Sequence, residues 1–241
     1  MTETTSESAP ATPGRVLAIF AHADDIEFTC AGTIARWVRE GYQATYVICT
    51  DSSKGSEDPT MTPRRLADIR VAEQRAAAAA VGVDDVVFLG FEDGMLEDNS
   101  ALRRELVRLI RQRKPNRVIC GDPTVRWFGQ GYVNHPDHIA AGNAALAATY
   151  PFARNRPTFP ELLAEGLEPH KVAEVYISST PHADTWIDIG DTIDLKVAAL
   201  KAHPSQLGEW DPAEEVRKWA ADTAKDHGMT YAEAYKYLKL D

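Results

Sequence analysis

The chain has 241 residues, of which 44% are hydrophobic, and 36 acidic against 26 basic side chains give it a formal net charge of −10. This length suits one large α/β domain or two small ones, and the acidic balance argues against a nucleic-acid-binding protein, which normally presents a basic face. The three cysteines form neither a CxxC pair nor a disulfide pattern, and no segment approaches the length of a membrane span. We therefore expect buried thiols, a cytoplasmic location and no membrane partner.

Residues 1–14 are polar and lack the apolar stretch of a signal peptide, so we predict a flexible tail followed by a single catalytic domain at 15–241. From residue 15 onward, short apolar runs alternate with helical patterns. The predicted strands are 15–20, 43–50, 85–90, 116–121, 173–180 and the shorter 185–190. The predicted helices are 31–41, 63–82, 100–114, 135–148 and 191–203, with one or two more after residue 211.

This alternation predicts an α/β fold, a Rossmann-like three-layer sandwich in which helices cover both faces of a mostly parallel sheet. In such sheets ligands bind beyond the carboxyl ends of the strands, and polar clusters follow each of the first four predicted strands. A nucleotide-binding Rossmann protein would need a glycine-rich turn after strand one. The chain has AHADDIEFTCAG there, with no GxGxxG or Walker sequence, so we reject that alternative.

Two clusters of potential metal ligands follow strands one and four. His22 and Asp25 lie three residues apart in the first loop, and His135 and His138 are spaced alike in HPDH, where Asn134 could cap a helix. If the two loops are neighbours, a set of imidazole and carboxylate ligands converges that suits catalytic zinc, with Fe²⁺ as an alternative. Either cluster alone could be an ordinary turn or capped helix start. Their joint position at strand carboxyl ends favours a metal site.

Together these motifs resemble the AHPDD(x)E and HPDH signatures of the PIG-L/LmbE family of metal-dependent N-deacetylases. The resemblance extends from residue 15 to about residue 206 and includes three further short segments, IRVAEQRAAAAAVGV, FLGFEDGML and ALKAHPSQ. Ile26 between Asp25 and Glu27 matches the DDxE branch, which includes bacillithiol-type and chitooligosaccharide-type deacetylases. One departure is Ala23, where the family usually has proline; it loosens the turn but removes no functional group.

The resemblance implies a set of roles for the first motif and for the end of the second. His22, Asp25 and His138 would bind the metal, which would be Zn²⁺, with Fe²⁺ or another divalent ion as alternatives. Asp24 would act as the general base toward a water whose pKa the metal lowers. The implied reaction removes the N-acetyl group from an N-acetylglucosamine-type sugar or sugar conjugate. The alternative is an amidase that acts on another C–N bond, such as a thiol-conjugate amide, with the same metal site.

The rest of HPDH has implied roles in stabilising the transition state. A cationic His135 would steady the oxyanion together with the metal, and Asp137 would orient His135 and keep it protonated. A non-catalytic binding module of the same fold would be expected to lose the base or a ligand, and this chain retains all of them.

Three further residues are candidates for substrate binding. Arg70 matches a family arginine that binds substrate hydroxyls, although a surface arginine paired with Glu73 is the alternative. Asp93 resembles a family pocket aspartate but could be ordinary turn chemistry before a glycine. Trp127 could stack on a sugar face or form a subunit contact, so association with further copies of the chain stays open. The expected partner is a small N-acetylated sugar and not a nucleic acid. Glu27 and His203 are left without a role: His203 could line the pocket or simply end a helix.

Overall fold

The computed structural model describes residues 13–241, so the predicted tail at 1–14 lies, except for its last two residues, outside the described residues. The strands are β1 (Arg15–Phe20), β2 (Gln43–Thr50), β3 (Asp85–Phe91), β4 (Arg117–Gly121), β5 (Trp127–Phe128), β6 (Tyr132–Val133), β7 (Glu174–Ser178), β8 (Thr185–Asp188) and β9 (Ala232–Lys239). The helices are α1 (Asp25–Thr29), α2 (Ala31–Arg39), α3 (Pro63–Ala80), α4 (Ser100–Arg113), α5 (Pro136–Thr149), α6 (Glu161–Ala164), α7 (Ile193–Lys201), α8 (Pro204–Leu207) and α9 (Ala213–Ala224), with a 3-10 turn at Phe152–Arg154.

The central sheet has the strand order β3-β2-β1-β4-β7-β9-β8. The first five strands in this order run parallel, and β9 runs antiparallel to both of its neighbours. From β1 the chain proceeds outward to β2 and β3, then returns to place β4 on the other side of β1. The order therefore reverses between β1 and β4, and the loops that follow these two strands diverge to leave a crevice. The predicted α/β sandwich with a mostly parallel sheet is confirmed.

Helices cover both faces of this sheet, as the strand sequences require. Along β1, Leu17 and Ile19 face a core that α4 and α5 complete, whereas Ala18 and Phe20 face a second core shared with α2 and α3. Successive side chains of a strand point to opposite faces, so a strand buried on both faces reads as a continuous apolar run. The three cysteines are buried free thiols, as the sequence predicts.

The packing of α5 against β4 brings the second motif to the first. Ile19 of β1 is in register with Cys120 of β4, so the loops after both strands start from the same sheet edge. Gly142 lets α5 pack directly on the end of β4, since a Cβ atom at this position would lie 2.6 Å from the Gly121 carbonyl oxygen. The helix therefore points its first turn, with HPDH, into the crevice beside β1.

The structure differs from the prediction mainly in the segment after residue 211 and in one loop. The segment after residue 211 forms α9 and then the strand β9, not one or two helices. Residues of β9 such as Ala232 and Lys239 favour helices, but pairing with β7 and β8 offers the segment buried contacts that outweigh local propensity. The loop at 122–134 contains the β5–β6 hairpin. Among the helices at 13–241, none has both the length and the apolar character needed to span a membrane.

Candidate metal centre and active site

A cavity of about 420 Å³ opens at the carboxyl end of the sheet, between the loops that follow β1 and β4. The β1 loop contributes His22, Asp24 and Asp25 to its wall, and the HPDH segment contributes His135 and His138. The structure therefore brings together two motifs that are more than 100 positions apart in sequence. This cavity occupies the crevice at which open α/β sheets bind their ligands.

Three side chains place potential ligand atoms at similar separations in this cavity. His22 Nδ1 and His138 Nε2 are 3.2 Å apart, His138 Nε2 is 3.1 Å from Asp25 Oδ1, and His22 Nδ1 is 3.7 Å from Asp25 Oδ2. Zinc–ligand bonds of about 2.0–2.1 Å in tetrahedral geometry require ligand atoms about 3.3 Å apart. The three side chains therefore fit one divalent ion and leave the remaining position of a tetrahedron for another ligand.

Hydrogen bonds fix the tautomers of both imidazoles in the form that binds a metal. His22 Nε2 contacts Asp137 Oδ2 at 3.2 Å and Asp93 Oδ1 at 3.1 Å, and because carboxylates only accept, Nε2 carries the hydrogen. His138 Nδ1 donates to Asn134 Oδ1 at 3.1 Å, since the amide nitrogen of Asn134 is occupied by the Val125 carbonyl at 2.8 Å.

The remaining nitrogens, His22 Nδ1 and His138 Nε2, face each other at 3.2 Å. A proton on one of them makes this contact a hydrogen bond, and without that proton the two lone pairs repel unless a metal cation lies between them. Burial lowers the pKa of His22, but hydrogen bonds to Asp137 and Asp93 and the charge of Asp25 raise it to about 10. The acidic surroundings thus favour a positive charge at this position, and the donor set fits a divalent metal.

A second cluster of potential ligands surrounds the other side of the His22 ring and comprises Asp93, Asp137 and His135. Both carboxylates of this cluster already accept hydrogen bonds from the backbone. Asp137 accepts from the N–H groups of Gly94 at 2.7 Å and Leu96 at 3.2 Å, and Asp93 accepts from the N–H group of Lys54 at 2.7 Å. These groups orient the His22 imidazole, as the outer partners of metal-bound histidines usually do.

Asp24 has a backbone conformation that is uncommon for a residue with a side chain. Its φ is 93°, in the left-handed region, and three neighbours hold it there. Its N–H donates to Gln74 Oε1 at 3.0 Å, its Oδ2 accepts from Arg70 at 3.0 Å, and the preceding Ala23 N–H donates to Ser52 Oγ at 3.0 Å. Burial raises the pKa of Asp24 to about 7, against the opposing charge of Arg70. A carboxylate with this pKa is suited to exchanging protons near neutral pH.

Arg70 lies inside the cavity wall and not on the surface. Its guanidinium donates to the carbonyl oxygen of Ala23 and to the carboxylate of Asp24, and the residue lines the cavity. The alternative of a surface pair with Glu73 is wrong, because Glu73 accepts from the N–H and hydroxyl of Ser205 at 2.8 Å and 2.6 Å.

The predicted contact between Asp137 and His135 is not formed. The His135 ring nitrogen Nδ1 lies 3.9 Å from the Asp137 carboxylate, which faces His22, and instead accepts the backbone N–H of Asp137 at 3.2 Å. His135 is therefore the N-cap of α5, a position predicted for Asn134. Burial and the nearby charge of His22 lower the pKa of His135. The neutral ring has its hydrogen on Nε2 and is a donor without being a cation.

The remaining candidates divide between the cavity and the outer surface. Asp93 is buried and lines the cavity beside His22. The cavity wall formed by the described residues includes Phe128 and Tyr132 and leaves Trp127 outside it, 67% exposed. Trp127 pairs with Val133 across the hairpin while Phe128 pairs with Tyr132. Neighbouring residues on a strand point to opposite faces, so Trp127 turns outward when Phe128 turns inward.

A buried polar network behind Asp24 was missed by the sequence analysis. Gln74 accepts from the Asp24 N–H and donates to Glu27 Oε1 at 3.0 Å, and Glu27 Oε2 lies 3.2 Å from His203 Nε2. Glu27 and His203 are fully buried, so His203 belongs to this network and not to the cavity wall. The i, i+4 spacing of Arg70 and Gln74 was the available signal, because it places both on one face of α3.

Comparison with known sequences relates most of the chain to sugar deacetylases. A family model described as GlcNAc-PI de-N-acetylase, that of PIG-L, matches residues 17–149. The diacetylchitobiose deacetylase of Thermococcus kodakarensis is 32% identical over 231 residues, which cover 93% of this chain and 83% of that protein. The 1D-myo-inositol 2-acetamido-2-deoxy-alpha-D-glucopyranoside deacetylase of Thermobispora bispora is 34% identical over 257 residues, covering 82% of this chain and 81% of that protein.

Solved structures share the whole fold. The N,N'-diacetylchitobiose deacetylase from Pyrococcus horikoshii superimposes with a TM-score of 0.85 at 27% identity, over 93% of this chain and 84% of that one. The 4-carboxy-2-hydroxymuconate hydratase from Pseudomonas putida gives a TM-score of 0.78 at 21% identity, over 95% and 97% of the two chains. The second similarity concerns the fold alone, and it shows that the chemistry must be argued from the site and the sequence relatives.

Proposed function

The chain belongs to the PIG-L family of N-deacetylases, and on that premise we propose that it removes the N-acetyl group from an N-acetylglucosamine-type sugar with a divalent metal ion bound by His22, Asp25 and His138. The observation that carries this proposal is the convergence of two imidazole nitrogens, His22 Nδ1 and His138 Nε2, 3.2 Å apart beside the Asp25 carboxylate. The nitrogen and oxygen donors suit Zn²⁺, and Fe²⁺ is the alternative.

The substrate class follows from the relatives and from the cavity. Both curated relatives are named for sugars that carry an acetylated amino group, diacetylchitobiose and a 2-acetamido-2-deoxy-glucopyranoside. The cavity combines the aromatic rings of Phe128 and Tyr132 with polar groups such as Arg70 and Asp93. Such a wall can contact both the apolar face and the hydroxyls of a sugar.

Asp24 is the proposed general base. A bound divalent metal would supply a water molecule of lowered pKa and a positive charge beside the acetamido carbonyl. Asp24 faces the same cavity, and with a pKa of about 7, set chiefly by burial, it can accept a proton from the attacking water near neutral pH. Arg70 and Gln74 hold it in place for this transfer. The same carboxyl group can then return the proton to the departing amine.

His135 is the proposed hydrogen-bond donor to the acetamido oxygen. Its Nδ1 is occupied by the Asp137 N–H, so in the neutral ring Nε2–H remains as the donor at the cavity wall. A donor aimed at the oxygen on which negative charge develops stabilises the transition state more than the ground state. This assignment replaces the cationic His135 of the sequence prediction with a neutral one. Asp137 would act through His22, whose imidazole it orients.

The proposal is tested by measuring metal content and amine release on the same samples. The substrates are N-acetylglucosamine and N,N'-diacetylchitobiose, with an N-acetylated amino acid amide as the contrasting C–N bond. We expect close to one divalent ion per chain and amine release from the sugars. His22→Ala and His138→Ala should each lose both the metal and the activity, because two remaining donors hold a divalent ion poorly.

The matched control is His227→Ala, since His227 is exposed and stacks on Trp186 away from the cavity. This variant should keep its metal and its activity. Full metal content in both ligand variants would place the metal elsewhere. Turnover of the amino acid amide in preference to the sugars would favour the amidase alternative.

We further propose that residues 15–241 act as one catalytic domain in the cytoplasm. The buried free thiols of Cys30, Cys49 and Cys120 support a reducing compartment, and the acidic composition supports a small-molecule substrate over a nucleic acid.

A further inference from the structure

A second cavity adjoins the catalytic one and shares part of its wall. This side groove has a volume of about 250 Å³, and Phe28, Thr29 and Ser179 line both spaces. Its far side is formed by α9 and β9, which contribute residues such as Trp219 and Ala234. The groove therefore extends from this shared wall toward the C-terminal part of the chain, beyond the segment that the family model matches.

An aromatic strip joins the walls of the two spaces: Phe28 lines both, Trp219 lines the groove, and Trp210, outside the described lining of either, lies beside both rings. The rings of Phe28 and Trp210 are nearly parallel, 11° apart in orientation with centroids separated by 6.4 Å, and Trp210 lies 6.3 Å from Trp219. Trp210 and Trp219 are 39% and 44% exposed, respectively. Two neighbouring indole rings left this accessible present a large apolar area to solvent, which is typical of a surface that contacts a ligand.

The polar groups of the groove favour a neutral ligand. The charged residues among its described lining are Lys196 and Glu233, and these two are buried and paired with each other. The other polar groups are hydroxyls, including those of Ser179 and Thr223. Hydroxyls beside exposed aromatic rings suit a molecule with hydroxyl groups at its edge and an apolar C–H face, which describes a pyranose ring.

Ser179 lies at the junction of the two spaces and has a left-handed φ of 54°. This conformation is costly for a residue other than glycine, and strain of this kind concentrates where ligands bind. It turns the Ser179 side chain into the wall common to both spaces.

We propose that the side groove binds the second sugar of an N-acetylated oligosaccharide whose first sugar occupies the catalytic cavity. The exposed ring of Trp219, which lines the groove, packs against the apolar face of this second sugar. The inference rests on the proposed function, because it assumes that an N-acetylated sugar binds beside the metal site. It adds the place at which the second sugar binds and the ring that contacts it.

The test compares substrates of different length in the metal-loaded full chain. We expect the wild-type protein to hydrolyse N,N'-diacetylchitobiose with a higher kcat/KM than N-acetylglucosamine. Trp219→Ala should lower kcat/KM for the disaccharide about tenfold, mainly through KM, and leave the monosaccharide within about twofold, because only the second sugar contacts the strip. Trp219→Phe keeps an aromatic face and should recover most of the loss. Lys218→Ala, at an exposed neighbouring position of α9, is the control and should match the wild type for both sugars.

Outcomes that contradict binding of the second sugar in the groove can be distinguished from failure of the proposed deacetylase function. If both sugars are hydrolysed but Trp219→Ala affects them equally or not at all, the groove does not bind the second sugar. If Trp219→Ala instead changes the molar mass of the protein in solution while discrimination between the sugars is unchanged, the strip is a subunit contact. If neither sugar is hydrolysed, the deacetylase proposal fails. Calorimetric measurement of the binding of both sugars to wild type and Trp219→Ala then tests whether the groove binds the second sugar. Equal affinities of wild type and Trp219→Ala for the disaccharide would overturn the proposal that the groove binds the second sugar.

Discussion

At the scale of residues, two adjacent aspartates have different surroundings. Asp25 lies 3.1 Å from His138 Nε2 and accepts the His22 backbone N–H at 2.8 Å, so its carboxylate lies within the proposed metal ligand set. The Asp24 carboxylate, on a left-handed backbone, instead accepts from Arg70, and the residue lines the cavity. Their different surroundings predict different consequences when each is changed.

Asp24→Asn should keep the metal and the fold but lose turnover. The introduced amide cannot accept a proton, and a general acid–base group contributes about 10²- to 10⁴-fold to the rate, so we expect kcat to fall by that factor. The measurements are metal stoichiometry and deacetylation rate of the purified variant. Asp25→Ala is the companion and should lose metal and activity together. Near-normal turnover of metal-loaded Asp24→Asn would refute the base assignment, and loss of its metal would mean that the two roles are exchanged.

At the scale of elements, one face of α3 positions the β1 loop. Arg70 and Gln74 lie one turn apart on this helix, and both bind Asp24. The Gln74 amide is itself oriented by Glu27, which also contacts His203 near the start of α8. The sequence segment IRVAEQR therefore contains two of the groups that hold the β1 loop, and the segment ALKAHPSQ contains a third.

Gln74→Met should lower kcat without removing the metal. Methionine fills a similar volume but offers no acceptor to the Asp24 N–H, so the left-handed turn loses one of its supports. Misplacement of a catalytic group by about 1 Å can cost about 10²-fold, and we expect a fall in kcat of about 10- to 100-fold with little change in KM. The measurements are kcat, KM, metal content and the free energy of unfolding.

The control for this variant is Tyr235→Phe. It removes a hydroxyl that donates to the Glu233 carboxylate and can accept from the Thr33 hydroxyl in another buried network, which does not contact the β1 loop through these bonds. Tyr235→Phe should lower the free energy of unfolding and leave kcat unchanged. If kcat in Gln74→Met falls only in proportion to the fraction of folded protein, Gln74 is structural and does not position Asp24.

At the scale of the whole molecule, the C-terminal strand ties the end of the chain to its beginning. Glu233 on β9 accepts from the N–H groups of Gly32 at 3.1 Å and Thr33 at 2.7 Å in the first turn of α2. It also pairs with Lys196 of α7, whose ammonium donates to the Phe28 carbonyl at 3.0 Å. A carboxylate at a helix N-terminus is favourable, and here it joins elements about 200 residues apart.

Glu233→Leu should lower the free energy of unfolding by about 3–5 kcal/mol, because it leaves the buried ammonium of Lys196 without a countercharge. The double variant Glu233→Leu with Lys196→Met removes both charges, and its loss should be smaller than that of Glu233→Leu alone. Urea unfolding of the three proteins, each metal-loaded, measures both values. An equal loss in the single and double variants would show that the unpaired charge is not the cause.

Local patterns in the sequence were sufficient for the parallel core of the fold and for the two metal-ligand motifs. Apolar runs such as that of β1 identify strands buried on both faces, and the spacing of His22 and Asp25 and of His135 and His138 marks two clusters of donors. Both features can be recognised without tertiary structure because each depends on residues within a few positions of one another.

Features that depend on distant residues were decided by the tertiary structure alone. The HPDH segment faces His22 across 116 positions, so only the packed sheet could show that Asp137 binds His22 and not His135. The hairpin register decided that Phe128 faces the cavity and Trp127 does not. The last strand, β9, has residues that favour a helix in isolation, but its buried pairing with β7 and β8 contributes more free energy than local propensity, and no short segment of sequence contains that partner.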